Sequence, residues 1–224
     1  MAACAASDRG RSPKTHRRRH HHFALTMPVN LPAALATFSA LTRPTRLLPA
    51  LSLATFGDVP VPIVIPGRDI RAVVLDKDNC FAAADALEVH AAYAAKFAAL
   101  REAYPGNRLL IVSNSAGCYG DTAQAEILEA ATGGVPVLRH TRPKPDPACA
   151  QDILDFFLKD PSTGVTKSEH VVVVGDRLLT DVVMANTMGA AAVWLHTGVQ
   201  KSTSIPVRFE QALLSAFTST GILK

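Results

Sequence analysis

The stretch AVVLDKDNC, residues 72–80, runs four apolar residues straight into two carboxylates set one residue apart. Ala72 to Leu75 is too short for a helix and shows no alternation of apolar and polar residues. It reads as a strand buried on both faces, the kind found in parallel sheets. Asp76 and Asp78 then stand at its carboxyl end. In open α/β sheets ligands bind outside the carboxyl ends of the strands, so the residues that decide the fold also mark the site.

Outward from this strand the pattern repeats. LEVHAAYAAKFAALREAYPG reads as a helix with Leu87, Ala91, Ala94, Ala95 and Ala98 on one face, stopped at Pro105-Gly106. RLLIVSNS is a second strand, TAQAEILEAATGG a helix closed by Gly133, and VPVLRH a short third strand. PACAQDILDFFLK, LTDVVMANTMG and VRFEQALLSAFTS read as helices, HVVVVGDR and AAAVWLH as strands. Continuously apolar strands alternating with helices predict an α/β fold, a doubly wound parallel sheet sandwich. Upstream, VPVPIVIPG carries too many prolines for an interior strand and reads as a linker or edge segment. The expected organisation is a leader over residues 1–60 and one catalytic domain over 61–224.

The residues ending the strands form a set. Asp76-x-Asp78 ends one strand, Ser113-Asn114 the next, and Gly175-Asp176 a later one, with Asp181 five residues on. Lys144 follows the short third strand, in RHTRPKP. Crowded carboxylates stay ionised only around a cation, and oxygen-only ligands favour a hard ion such as Mg²⁺. Mg²⁺ with a lysine, a hydroxyl and amide donors suits a phosphoryl group in transfer. A carboxylate can attack phosphorus, and a second can serve as general acid and then base.

DKDNC, VSN, RPKP and GDRLLTD, in that order, resemble the four motifs of the haloacid dehalogenase-like phosphohydrolases. The resemblance covers about residues 70–200. It implies that Asp76 is the nucleophile, Asp78 the general acid/base, Ser113 a holder of a phosphoryl oxygen, and Lys144 the group that neutralises phosphate. It makes Asp76, Asp176 and Asp181, with the backbone carbonyl of Asp78, the Mg²⁺ ligands. One departure is Cys80, where the pattern usually has Thr or Val; it reads as a small buried residue. The intervals from Asp76 to Ser113 and from Ser113 to Lys144 are filled by a crossover helix and strand. No room remains for an inserted cap, so the site should be open to a large or anchored substrate.

The cysteine-bearing first motif, the basic third motif and the basic leader are together similar to the mitochondrial phosphatidylglycerophosphate phosphatases of fungi and plants. That similarity implies phosphatidylglycerophosphate as substrate, on the way to cardiolipin, at the matrix side of the inner mitochondrial membrane. Asn114, Lys77, Arg139, Arg142 and Arg177 lie close to motif residues and are expected to bind substrate, the four basic ones meeting its second anion. Two other readings stay open: a capless phosphatase for protein or nucleic-acid phosphomonoesters, and a non-catalytic RNA-binding adaptor.

The net charge of +4 is concentrated at the N-terminus, and no acidic residue occurs between Asp8 and Asp58. An Arg-rich, acid-free arm has the composition of an organelle transit peptide, or of a basic tail. Met27 opens a plausible chain of its own. Leu31, Ala34, Leu35, Phe38 and Leu41 share one helical face, suited to a peripheral contact with an anionic membrane surface or to the protein's own core. No run reaches the roughly 18 apolar residues of a membrane span. Four scattered cysteines argue against a disulfide scaffold, and no specific nucleic-acid partner is expected.

Overall fold

The structure is a computed structural model, and it describes residues 43–200 together with positions 212 and 215. The amphipathic stretch 31–41 and the expected final helix lie outside the described residues, positions 212 and 215 apart. Among the described residues five strands form one all-parallel sheet: β1 (Leu51–Leu53), β2 (Ala72–Leu75), β3 (Leu109–Ile111), β4 (Val171–Gly175) and β5 (Ala191–Leu195), in the order β1-β5-β4-β2-β3. Four helices connect them: α1 (Ala94–Ala103), α2 (Thr122–Ala131), α3 (Pro147–Leu158) and α4 (Val183–Met188).

The strand side chains divide between two cores, as the pleat requires. Val73, Leu75, Leu109, Ile111, Val172 and Val174 face a core with Phe97 and Leu100 of α1 and Leu128 of α2. Ala72, Val74, Leu110, Val171 and Val173 face the other, with Ile153 and Phe157 of α3 and Val183 and Met184 of α4. Every residue of β2 and β4 is buried, which explains why neither strand shows polar alternation.

Three local expectations change. In the first helix the alanine face is not the buried one: Tyr93, Phe97, Leu100 and Tyr104 are buried, while Ala91, Ala94 and Ala95 are exposed. Packing against a sheet rewards volume, and Tyr93, Phe97, Leu100 and Tyr104, at i, i+4, i+7 and i+11, fill more space than methyl groups. Phe97 thereby joins Phe56 and Phe81, with ring centroids 6.4 and 5.0 Å away. The expected strand at 135–140 is reduced to single bridges, Ile111 with Val137 and Cys118 with His140. Pro136 lacks an N–H for a ladder, although its carbonyl still accepts from Ile111 at 2.9 Å.

The third change concerns residues 43–60, which the sequence assigns to the leader. They build one edge of the sheet. β1 pairs with β5 in parallel, Leu47 enters one core, and Phe56 and Val59 enter the other. Asn186 of α4 holds the turn before β1 by donating to the carbonyls of Arg46 at 2.7 Å and Leu48 at 2.9 Å. A three-residue strand between Pro49 and a turn carries too little pattern to be read from sequence. Its stability comes from a partner more than a hundred residues away.

Candidate active site

Four segments converge at the carboxyl edge of the sheet. Asp76 follows β2, and its amide still belongs to the ladder, donating to Val174 O at 2.9 Å. Asp176 follows β4, and its carbonyl accepts the indole N–H of Trp194 at 2.9 Å. The chain then makes one wide helical turn, Leu178–Val182, in which all five residues are buried. This turn folds Asp181 back onto the strand end, where its carboxylate accepts from the Arg177 amide at 3.2 Å. Only glycine permits the approach. A Cβ on Gly175 would stand 2.3 Å from the Asp181 carboxyl carbon.

Lys144 arrives from the loop after residue 140 and is 2% exposed. Its Nζ donates to Asp76 Oδ1 at 2.6 Å and to Asp181 Oδ1 at 2.7 Å. Asp76, Asp176 and Asp181 each offer an oxygen within 4.8 Å of the others. Two of the three carboxylates, Asp76 and Asp181, thus share one ammonium. Burial pushes Asp76 up to about 7, with Lys144 opposing and Asp181 and Asp78 adding to the rise. Burial likewise pushes Asp176 up to about 8, reinforced by Asp76 and Asp181 and opposed by the Asn79 amide. Burial disfavours the charge of Lys144, yet Asp181 and Asp76 outweigh it and hold the ammonium well above its usual range. The cluster is short of positive charge, and its oxygen-only donors suit a hard divalent cation such as Mg²⁺.

Asp78 lies in the turn that follows β2, where the chain has left the extended course of the strand, and its carboxylate meets a different set of partners. Its Oδ1 accepts from the Lys77 ammonium and, at 3.0 Å, from the Asp85 amide. Its Oδ2 accepts from the Ser115 hydroxyl and, at 3.3 Å, from Ser113 Oγ. Burial works against the charge, but the Lys77 and Ser115 hydrogen bonds prevail and hold Asp78 below the usual carboxylate range. Its side chain is not among the three carboxylates that cluster.

The expected site residues therefore separate by what they touch. Asp76, Lys144, Asp176 and Asp181 meet in the carboxylate cluster, and Asp78 and Ser113 meet beside it. The residues expected at the substrate divide differently. Lys77 is fully buried and spans Asp78 and the Ala86 carbonyl, 3.0 Å away. Arg139 forks onto the Glu129 carboxylate. Asn114 clasps the Lys144 backbone, accepting from its amide at 2.8 Å and donating to its carbonyl at 3.1 Å. Each of these three makes its contacts to the protein itself. Arg142 is exposed and Arg177 partly so. Cys80 is fully buried in the first core, and burial together with Asp76 raises its thiol well above its usual range.

Three residues were not anticipated. Ser115 lies 2.9 Å from Ser113 and shares Asp78 with it; the sequence signal was the second serine of SNS. His140, buried, sets its ring nitrogens 3.0 Å from the Ser113 carbonyl and 2.7 Å from that of Arg142, joining the second and third motif loops. Asn79 touches Asp176 at 2.9 Å. His140 had no local signal beyond proximity to a motif, and Asn79 stood inside DKDNC with no role assigned to it.

Comparison with known proteins covers the same part of the chain. A family model described as mitochondrial PGP phosphatase matches residues 31–200. A Saccharomyces cerevisiae protein, Phosphatidylglycerophosphatase GEP4, mitochondrial, is 42% identical over 187 residues, spanning 83% of this chain and 97% of its own length. A Schizosaccharomyces pombe protein, Probable phosphatidylglycerophosphatase, mitochondrial, is 29% identical over 84% of this chain and 92% of its own length. Chlamydomonas reinhardtii has a relative 33% identical over 68% of this chain and 55% of its own length, Phosphatidylglycerophosphate phosphatase 1, chloroplastic. No solved structure matches the chain.

Proposed function

This chain belongs to the mitochondrial PGP phosphatase family, and we propose that it hydrolyses the phosphomonoester of phosphatidylglycerophosphate to leave phosphatidylglycerol, a precursor of cardiolipin. The observation that carries the reading is the buried Lys144 ammonium bridging Asp76 and Asp181 beside Asp176. With Asp78 and Ser113 adjacent, this donor set supports a reading as a haloacid dehalogenase-like phosphohydrolase. The site is proposed to be capless, because α1 and α2 account for the intervals where a cap would be inserted.

Asp76 is the nucleophile. Its carboxylate attacks phosphorus, a P–O bond to aspartate forms, and the bond to the glycerol oxygen breaks. Asp78 gives that oxygen its proton. The same Asp78 then takes a proton from water, which attacks the aspartyl phosphate and frees Asp76 and inorganic phosphate. To be an acid first, Asp78 must be protonated, although Lys77 and Ser115 hold it ionised. A phosphate dianion arriving beside Ser113 raises its proton affinity by like-charge repulsion. Lys144 orients Asp76 through the 2.6 Å bond and offers its charge to the incoming phosphate. Asp76, Asp176, Asp181 and the Asp78 carbonyl would hold Mg²⁺, which would supply positive charge for the developing negative charge of the transferring phosphoryl group.

The substrate is anchored in a bilayer, so the site must work at a surface. Among the described residues no helix is long and apolar enough to cross a membrane. We place the protein peripherally on the matrix side of the inner mitochondrial membrane, with the exposed Arg142 as the basic residue for the internal phosphodiester. The test is phosphate release by purified protein from phosphatidylglycerophosphate in anionic vesicles, beside a phosphopeptide and a 5′-phosphorylated oligonucleotide. Turnover of the lipid at least tenfold above both others is expected. A preference for peptide or oligonucleotide, or no turnover at all, would sink the reading.

A further inference from the structure

Asn79 is the residue of DKDN that the mechanism does not use, and its backbone stands at φ 57°, in the left-handed region. Among non-glycine residues Asn adopts this region at least cost. The conformation turns three groups of one residue toward three partners. The side-chain amide donates to Asp176 Oδ2 at 2.9 Å. The side-chain oxygen accepts from the Gln200 amide at 2.9 Å, and the main-chain carbonyl accepts from the Val199 amide at 3.0 Å. Gly198 lies so close that a Cβ there would meet Asn79 Nδ2 at 2.3 Å.

Asp176 is thereby held from two sides. Trp194 of β5 fixes its carbonyl, and Asn79 of the first motif fixes its carboxylate. A carboxylate can rotate about its last bond, so a cation gains affinity when that rotation is already restricted. The segment after β5 in turn restrains the Asn79 amide, since both of its side-chain atoms are committed.

We propose that Asn79 is a positioning residue for the divalent cation: it orients Asp176 as a ligand and couples that orientation to the 198–200 turn. This rests on the Mg²⁺ reading of the carboxylate cluster. Removing a partner that orients a metal ligand typically lowers affinity about 10–100-fold.

The test measures Mg²⁺ binding to the full-length, metal-free protein by calorimetry, without substrate, in wild type, Asn79→Gly and Asn79→Asp. Glycine keeps the left-handed backbone and loses the amide. Its affinity should fall about tenfold or more, with a metal-free thermal midpoint close to wild type. The Asn79→Asp change adds negative charge, which strengthens cation binding if orientation is immaterial. Here it should weaken binding, because two carboxylates then oppose each other where the amide now donates. In activity assays the Mg²⁺ requirement should rise by the same factor while KM for substrate stays unchanged. Wild-type affinity in Asn79→Gly, or unreduced affinity in Asn79→Asp should the glycine variant not fold, overturns the proposal. No saturable binding by wild type overturns the metal reading itself, and the proposal with it.

Discussion

Asp76 and Asp78 are separated by one residue and live in opposite electrostatic regions. Asp76 shares a single ammonium with Asp181, next to Asp176, and is pushed up to about 7 by burial and its neighbours. Asp78 has an ammonium, two hydroxyls and an amide to itself, and is held below the usual carboxylate range. One region is short of positive charge and the other is supplied by the chain. Two carboxylates whose environments separate their proton affinities can take different roles in one reaction. The deficit region is the one suited to an added cation.

The heaviest loss should follow removal of the proposed nucleophile. Asp76→Asn should lower phosphate release by at least about 10⁴-fold, as loss of a covalent nucleophile does. Its circular dichroism should remain that of wild type. Appreciable turnover without deamidation back to aspartate would end the contrast between the two regions.

Replacing each lysine in turn tests the contrast from the other side. Lys144→Met leaves two buried carboxylates without their ammonium and should cost about 3–5 kcal/mol in metal-free urea unfolding. Lys77→Met leaves Asp78 three donors and some access to water, so a cost of about 1–3 kcal/mol is expected. Equal costs would mean that the surroundings do not distinguish the regions.

The pH dependence has opposite signs in the two. Asp76 and Asp176 have folded proton affinities above the unfolded value, 3.8. Between about pH 4 and 8 the folded state therefore binds more protons, and metal-free stability should fall by a few kcal/mol as pH rises through that window. Asp78 acts the other way, its contribution being lost as pH falls below the carboxylate range. Saturating Mg²⁺ should flatten the decline above about pH 6. A thermal midpoint that climbs with pH across the neutral range in EDTA would contradict the deficit of positive charge.

The mildest change belongs to the unanticipated hydroxyl. Ser115→Ala removes one donor from Asp78 while Ser113 remains, and should lower kcat about tenfold with KM within about twofold. A variant indistinguishable from wild type would assign Asp78's position to Lys77, Ser113 and the Asp85 amide.

Much of this site was legible because the signals were local. A buried strand is continuously apolar, a parallel sheet puts its ligands at strand ends, and Asp76, Asp78, Ser113, Asp176 and Asp181 sit at or just after such ends. Lys144 was found by its place in RPKP, which the bonds to Asp76 and Asp181 then explain. The first helix shows how a local signal misleads: its alanine spacing was regular, but ring volume decided which side the sheet would bury.

The order of residues alone settles which chemistry is available and at which edge of the sheet it collects. Apolar runs and the carboxylates that end them are contiguous, so neighbouring residues suffice to read them. The partners were settled by folding: Lys77 for Asp78, Asn114 for the Lys144 backbone, Arg139 for Glu129, Asn79 for Asp176, and β1 for β5. A hydrogen bond forms over about 3 Å, and most of these partners are tens to more than a hundred residues apart in the chain. Residue type declares that a donor must be satisfied. Which acceptor satisfies it depends on which segments the fold brings within reach.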